Sequence, residues 1–244
     1  MKYLTSEEKA RNKEIKEYFS GYVSKTLRSG VPVQLIEKYV PNRDAMIIDA
    51  GCSNGFFLSQ LWDVGYKNLA GMDFDNYLSE EAKKKVKNFY QVDFSVAMPD
   101  LKEIADCVTA WCVIPHLENP YNFIRGISKL LKFGGLFIFS MPNIESHSHR
   151  RHYLKTGEMI NYSHKNDHIT IMTPNIINKT FSKDFDSVAV EYFVKDKIFR
   201  GLKGKIKRWI INNFPNSQAR YASKKIYIFR NIAHDEKEAH PPSC

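Results

Sequence analysis

The sequence predicts an α/β fold, a parallel sheet covered by helices on both faces, and two observations carry that prediction. From Ala45 to Pro142, short apolar runs alternate with stretches of helical periodicity, the pattern of successive strand–helix units. Asp49, Asp73, Asp93, Trp111 and Ser140 also fall near the carboxyl ends of strands one to five, where open sheets of this kind bind ligands.

The elements follow in order. Residues 1–30 read as helical, with Ile15, Tyr18, Phe19, Tyr22 and Val23 on one stripe, and "VPVQLIEKYV" is a second helix stopped by Pro41. Together these make residues 1–40 an N-terminal helical cap. Strands "AMIIDA", "NLAGMD", "YQVDF", "ADCVTAWCV" and "LFIFSMP" come next. The helices "FFLSQLWDVG", "SEEAKKKVKNF" and "NPYNFIRGISKLLKFGG" lie between them. The core is expected over 41–195. Inside it, about 143–172 is polar and histidine-rich and reads as a lid or substrate-binding insertion. "TPNIINKTFSKDF" predicts a helix with Pro174 in its first turn, and "DSVAVEYFV" and "KKIYIFRN" predict two more strands. Residues 196–233 hold a basic helical insert and the final strand, and 234–244 is expected to be disordered.

Composition narrows the class. An apolar share of 43% and a charged share of 26% suit a globular protein. No run is long enough to span a bilayer and the N-terminus has no apolar signal core, so a cytoplasmic location is expected. The four cysteines form no CxxC pair, which argues against disulfides and structural zinc. A net charge of +9 asks for an anionic partner: nucleic acid, an anionic membrane surface or a phosphorylated small molecule.

The most informative stretch is "MIIDAGCSNGFFLSQL". Asp49 ends a strand, Gly51 and Gly55 bracket a tight turn, and Phe56 starts a helix. In a dinucleotide fingerprint three glycines let pyrophosphate sit on a helix N-terminus. Here a carboxylate stands two residues before the first glycine, which would repel pyrophosphate and favour a cationic amino group. The methionine end of S-adenosylmethionine carries one. Asp73, closing "LAGMD", is suited to accept both ribose hydroxyls, or else caps a helix. Asp93, in "YQVDF", is suited to the adenine amino group, with Phe74 and Phe94 as apolar walls. Trp111 at the end of strand four completes the expected cofactor-binding set of Asp49, Gly51, Ser53, Gly55, Asp73, Phe74, Asp93, Phe94 and Trp111.

In order, "IIDAGCSNGFF", "LAGMDFD", "QVDF", "WCVIPHLENP" and "LLKFGGLFIFSMPN" resemble the motifs of class I S-adenosylmethionine-dependent methyltransferases. The resemblance covers roughly residues 30–195. It implies a Rossmann-like seven-stranded sheet, mostly parallel, with "KKIYIFRN" as the last strand, antiparallel beside the fifth. It also implies S-adenosylmethionine as cofactor. Three departures stand out. Ser53 replaces the middle glycine of the turn, which requires an ordinary φ there. Phe133 replaces the proline before the double glycine. Cys112 and Pro115 stand where some relatives carry metal-binding glutamates, leaving only His116, so no metal is expected.

An oxygen or amine acceptor needs a base. His168, in "NDHITIMTP", resembles an "H-apolar-x-x-x-T" stretch of glycan and small-molecule relatives and ranks first; His116, just past strand four, ranks second. The structural alternatives are a lid-holding hydrogen bond for His168 and a helix cap for His116. "HSHRRH", His147 to His152, reads as an anion-binding patch or a solvated loop. An Asn-Pro-Pro-Tyr type tetrapeptide is absent after strand four, so no DNA partner is expected. Over 197–211, Ile198, Phe199, Leu202, Ile206, Trp209 and Ile210 fall at helical spacing among Lys197, Arg200, Lys203, Lys205, Lys207 and Arg208. Such a helix suits an anionic membrane surface or a phosphate-bearing acceptor, or packs on the core or on a second subunit of a homodimer. It resembles inserts of surface-polysaccharide methyltransferases.

The expected activity is in-line methyl transfer to oxygen, or nitrogen, of a small anionic acceptor such as a nucleotide-linked or phosphorylated glycan precursor. The alternatives are an RNA methyltransferase and a non-catalytic cofactor-binding subunit of a heteromeric enzyme. A nicotinamide dehydrogenase ranks below these because of the glycine spacing.

Overall fold

A computed structural model describes residues 21, 23–162, 167–194, 201–214 and 217–233. Its centre is one seven-stranded sheet in the order β3-β2-β1-β4-β5-β7-β6. The strands are β1 (Ile47–Ala50), β2 (Leu69–Asp73), β3 (Asn88–Gln91), β4 (Ala105–Trp111), β5 (Leu131–Pro142), β6 (Phe185–Phe193) and β7 (Lys224–Asn231). β1 to β5 pair in parallel, while β7 runs antiparallel to both β5 and β6. "KKIYIFRN" is therefore the antiparallel strand beside the fifth. The chain leaves β1 for β2 on one side and later returns to β4 on the other. That reversal opens a crevice at the carboxyl ends of β1 and β4.

β1 and β2 are buried at every position because helices cover both sheet faces. On one face Ile48, Ala70, Val108 and Phe137 pack with Phe123 and Ile127 of α5 (Pro120–Leu130) and Phe181 of α7 (Pro174–Phe181). On the other, Ile47, Leu69, Cys107 and Ile138 pack with Ile36 of α2 (Val31–Tyr39) and with Phe57, Leu58 and Leu61 of α3 (Phe56–Asp63). Each of these fully buried side chains contributes about 1.5–3 kcal/mol of transfer free energy. Among the described residues the remaining helices are α1 (Lys25–Arg28), α4 (Glu80–Lys85), α6 (His147–Thr156), α8 (Gly201–Asn213) and α9 (Ser217–Tyr221), with a 3₁₀ turn at Ile114–His116. No described helix is long and apolar enough to cross a membrane.

Several expectations are corrected. The continuous helix over 1–30 is interrupted: Val23 is outside any helix, and Ser24 is extended at ψ 151°, its hydroxyl accepting the Leu27 amide to start α1. Ile15, Tyr18, Phe19 and Tyr22 lie outside the described residues, as do 195–200, the tail 234–244, and the side chains of Leu202, Lys203, Lys207 and Ile210. The stretch after Pro142 is not structureless, because "HSHRRHYLKT" forms α6. Ser146 caps it through the His149 amide and Gly157 ends it at φ +71°. Asp93 does not close β3, which stops at Gln91. Its carbonyl and carboxylate instead turn the chain by accepting the amides of Val96, Ala97 and Ser95.

Gly51 is required twice over. Its φ is +76°, and a Cβ there would lie 2.4 Å from Cγ2 of Val113. Gly51→Ala is expected to destabilise the fold by about 2–4 kcal/mol, combining strain with overpacking. Urea unfolding checks this; a loss below about 0.5 kcal/mol would mean that the turn is free to relax.

Candidate functional site

The turn after β1 is strapped to β2 from below. Gly51 and Cys52 both donate their amides to the Met72 carbonyl, at 2.8 and 3.1 Å. One oxygen of Asp73 then accepts the Ser53 amide at 2.8 Å and the other the Phe74 amide at 2.9 Å. Ser53 sits at φ +48°, contrary to the ordinary φ expected of it. The charge-assisted bond to Asp73 offsets that left-handed geometry, so a side chain is tolerated at this position of the turn.

Asp49, 2% exposed, lies in the same crevice and accepts the Thr109 hydroxyl at 2.6 Å. Burial pushes its carboxyl up to about 7; the Thr109 bond pulls the other way and the charge of Asp73 adds to the rise. Burial likewise lifts Asp73 to about 6, against the two amides that hold it. No lysine, arginine or histidine among the described residues pairs with either carboxyl. Two desolvated carboxyls beside one turn lack positive charge, which a ligand ammonium would supply. Trp111 closes the crevice edge-on to Phe57 at 5.4 Å, and its buried indole N–H meets no acceptor among the described residues, leaving a donor for a ligand oxygen. These residues fit the methionine end of S-adenosylmethionine.

The adenine side is less uniform. Phe74 is half-buried at the end of β2, edge-on to Tyr77 at 5.4 Å. Phe94 is buried against Phe123 at 5.0 Å and belongs to the core cluster. Gly55, at φ +75°, opens α3 and leaves room for Leu78 and Ala82 beside α4.

The two expected bases come together. The amides of Ile169 and Thr170 donate to the Pro115 carbonyl at 2.8 and 3.0 Å, and the Thr170 hydroxyl donates to the Leu117 carbonyl. This latches "DHIT" onto the 3₁₀ turn. His116 and His168 consequently meet edge-to-face with ring centroids 4.5 Å apart, and the Tyr162 ring lies 5.4 Å from His168. Asp167 Oδ1 is 3.1 Å from His116 Nδ1, within ion-pair distance. His168 is held at about 4, first by burial and then by the charge of His116; Asp167 and a backbone bond to Asn161 only partly oppose this, and Lys224 adds to it. Val113, which touches Gly51, is three residues before His116, so the pair lies within about 10 Å of chain from the glycine turn.

Lys224 opens β7 beside Pro142, and its ammonium donates to the Cys112 thiol. Cys112 takes φ +62° and donates its amide to the Ser140 hydroxyl at 3.0 Å. The adjacent Lys225 pairs with Glu145, whereas no carboxylate of a described residue reaches Lys224. Thr109, Tyr162, Asp167 and Lys224 are the residues that sequence reasoning missed. Asp167 alone carried a local signal, its place next to His168.

A family model described as a methyltransferase domain matches residues 22–184, which hold the glycine turn, the three acids and both histidines. The chain is 25% identical over 130 residues to the tRNA U34 carboxymethyltransferase of Helicobacter pylori (strain Shi470), covering 48% of each. It is 27% identical over 127 residues to the mitochondrial ubiquinone biosynthesis O-methyltransferase of Dictyostelium discoideum, covering 43% of this chain and 37% of that one. The chain thus spans less than half the length of these curated relatives. Among solved structures it resembles the N-methyltransferase NodS of Bradyrhizobium japonicum WM9 in complex with S-adenosyl-L-homocysteine. That match has a TM-score of 0.54 at 14% identity, covering 93% of this chain and 97% of that one. The chain belongs to the methyltransferase-domain family, with the class I fold and S-adenosylmethionine as its cofactor.

Proposed function

We propose that this chain methylates an oxygen, or failing that a nitrogen, of a small anionic acceptor such as a nucleotide-linked or phosphorylated glycan precursor. The observation that carries this reading is the gathering of His116, His168 and Asp167, with the charge of Lys224 bearing on His168, just past Val113, which lies against Gly51 of the glycine turn. The bound cofactor supplies an activated methyl group on sulfur. Asp49 and Trp111 would hold its amino-acid end, Asp73 its ribose hydroxyls, and Asp93 with Phe74 its adenine.

On the acceptor side the motif pattern favours His168 as base, but the placement of Asp167, 3.1 Å from His116 Nδ1, favours His116. A proton on His168 is opposed by burial and by two neighbouring cationic groups. Asp167 lies on the Nδ1 side of the His116 ring, where a carboxylate can orient a base, and leaves Nε2 for the acceptor. His168 stays neutral and, with Tyr162, keeps the lid against the ring. Lys224, which no carboxylate of a described residue reaches, is placed for the acceptor's anionic group. Free Cys52, Cys107 and Cys112 suit a cytoplasmic enzyme.

Assays with labelled methyl donor against nucleotide sugars and phosphorylated sugars test the acceptor class. Lys224→Gln is expected to raise KM for a phosphate-bearing acceptor at least about tenfold while changing kcat less than about threefold. An equal effect on an uncharged acceptor would contradict the role. The second reading, RNA, is favoured by the H. pylori relative, a tRNA enzyme by name, and by the net charge of +9. Methylation of mixed tRNA, with binding that falls steeply with salt, would establish it instead.

A further inference from the structure

The outer face of α8 is built unlike an ordinary surface helix. Among its described side chains and glycines, Gly204 and Ile211 are the buried positions, seven residues apart on one stripe, and the helix rests on the protein along that line. Toward solvent stand Ile206 and Trp209, 53% and 61% exposed, with Phe214 just beyond the helix at 54%. The Trp209 and Phe214 rings meet edge-on at 5.9 Å and form one ridge. Exposed Lys205 and Arg208 flank it. Apolar side chains gathered in this way, rimmed by charge, mark a contact surface.

The backbone beneath the ridge is satisfied from within. The Asn213 side-chain amide donates to the Trp209 carbonyl at 2.8 Å. The Ser217 amide and hydroxyl both donate to the Phe214 carbonyl, at 2.8 and 2.6 Å. Helix C-termini ordinarily leave such carbonyls to water. Here the ridge can enter a water-poor layer without stranding them. α9 then links this region to α6, since the Tyr221 ring packs edge-on against His147 at 5.6 Å. α6 repeats the composition, presenting Tyr153 and Leu154, 54% and 85% exposed, between Arg151 and Lys155.

We infer that α8, extended by α6, docks on an anionic lipid bilayer, with Trp209 and Phe214 at the boundary between headgroups and acyl chains. Tryptophan's amphipathic ring suits that boundary, and the flanking cations meet anionic headgroups. Single-stranded RNA fits less well, because Ile206 and Leu154 offer no planar face for base stacking. A second copy would bring the same net charge of +9 against this basic face.

The test is co-sedimentation of the full chain with vesicles of phosphatidylcholine alone and of equimolar phosphatidylcholine and phosphatidylglycerol. Binding is expected only to the anionic vesicles, weakening with salt. Lys205→Gln should weaken it about fivefold, and the Trp209→Ala/Phe214→Ala double variant at least about tenfold. Unchanged S-adenosylhomocysteine affinity in these variants shows that they fold. Equal binding to both vesicle types, or wild-type binding by the double variant, overturns the inference. So does a double variant that loses tRNA binding or dimerisation while its vesicle binding stays intact.

Discussion

Asp73→Ala is expected to weaken S-adenosylhomocysteine binding by about a hundredfold or more. The carboxylate holds the Ser53 and Phe74 amides, each such charged bond being worth about 1.5–3 kcal/mol. Without it Ser53 loses the charge-assisted bond that offsets φ +48°, and the floor of the site loosens along with any ribose contact. Asp73→Asn keeps an acceptor for one amide and should fall between wild type and Asp73→Ala. Calorimetric titration measures all three. Wild-type affinity in a folded Asp73→Ala protein would remove the carboxylate from the cofactor site.

His116→Ala is expected to lower kcat by about 10²–10⁴-fold on the acceptor found by the methyl-transfer screen, with S-adenosylhomocysteine affinity unchanged. Asp167→Asn should lose less, because it only supports the ring it faces. His168→Ala should act mainly through a looser lid, raising acceptor KM more than it lowers kcat. Single-turnover kinetics separates these effects. If His168→Ala costs more in kcat than His116→Ala, the assignment of the base reverses.

The strand pattern was legible because buried parallel strands are nearly continuous apolar runs. "IIDA" and "LAGMD" are such strands in the structure. The acids at strand ends were legible for the same reason, since a charge that stops an apolar run stands out. The α6 helix was missed although Ser146 and Gly157 carried its start and stop signals. Its interior "HSHRRHYLKT" is so polar that no apolar stripe announced it. The His116–His168 meeting could not be read at all. It depends on Ile169 and Thr170 bonding to Pro115 more than fifty residues away, a backbone contact that leaves no mark on composition. Lys224 was hidden likewise, because only the antiparallel placement of β7 beside β5 brings its start to the carboxyl end of the sheet.

The central claim is that the buried carboxyl of Asp49 awaits a cationic ligand, and pH tests it. A carboxyl raised from 3.8 to about 7 on folding binds its proton more tightly in the folded state. The ligand-free fold therefore loses stability as pH rises from about 4 to about 7, while a ligand ammonium gains a charged partner over the same window. Titration with S-adenosylhomocysteine should accordingly show affinity about a hundredfold weaker at about pH 5 than at about pH 8, from Asp49 alone. Affinity that is flat across that range, or that rises toward acid, would contradict the account.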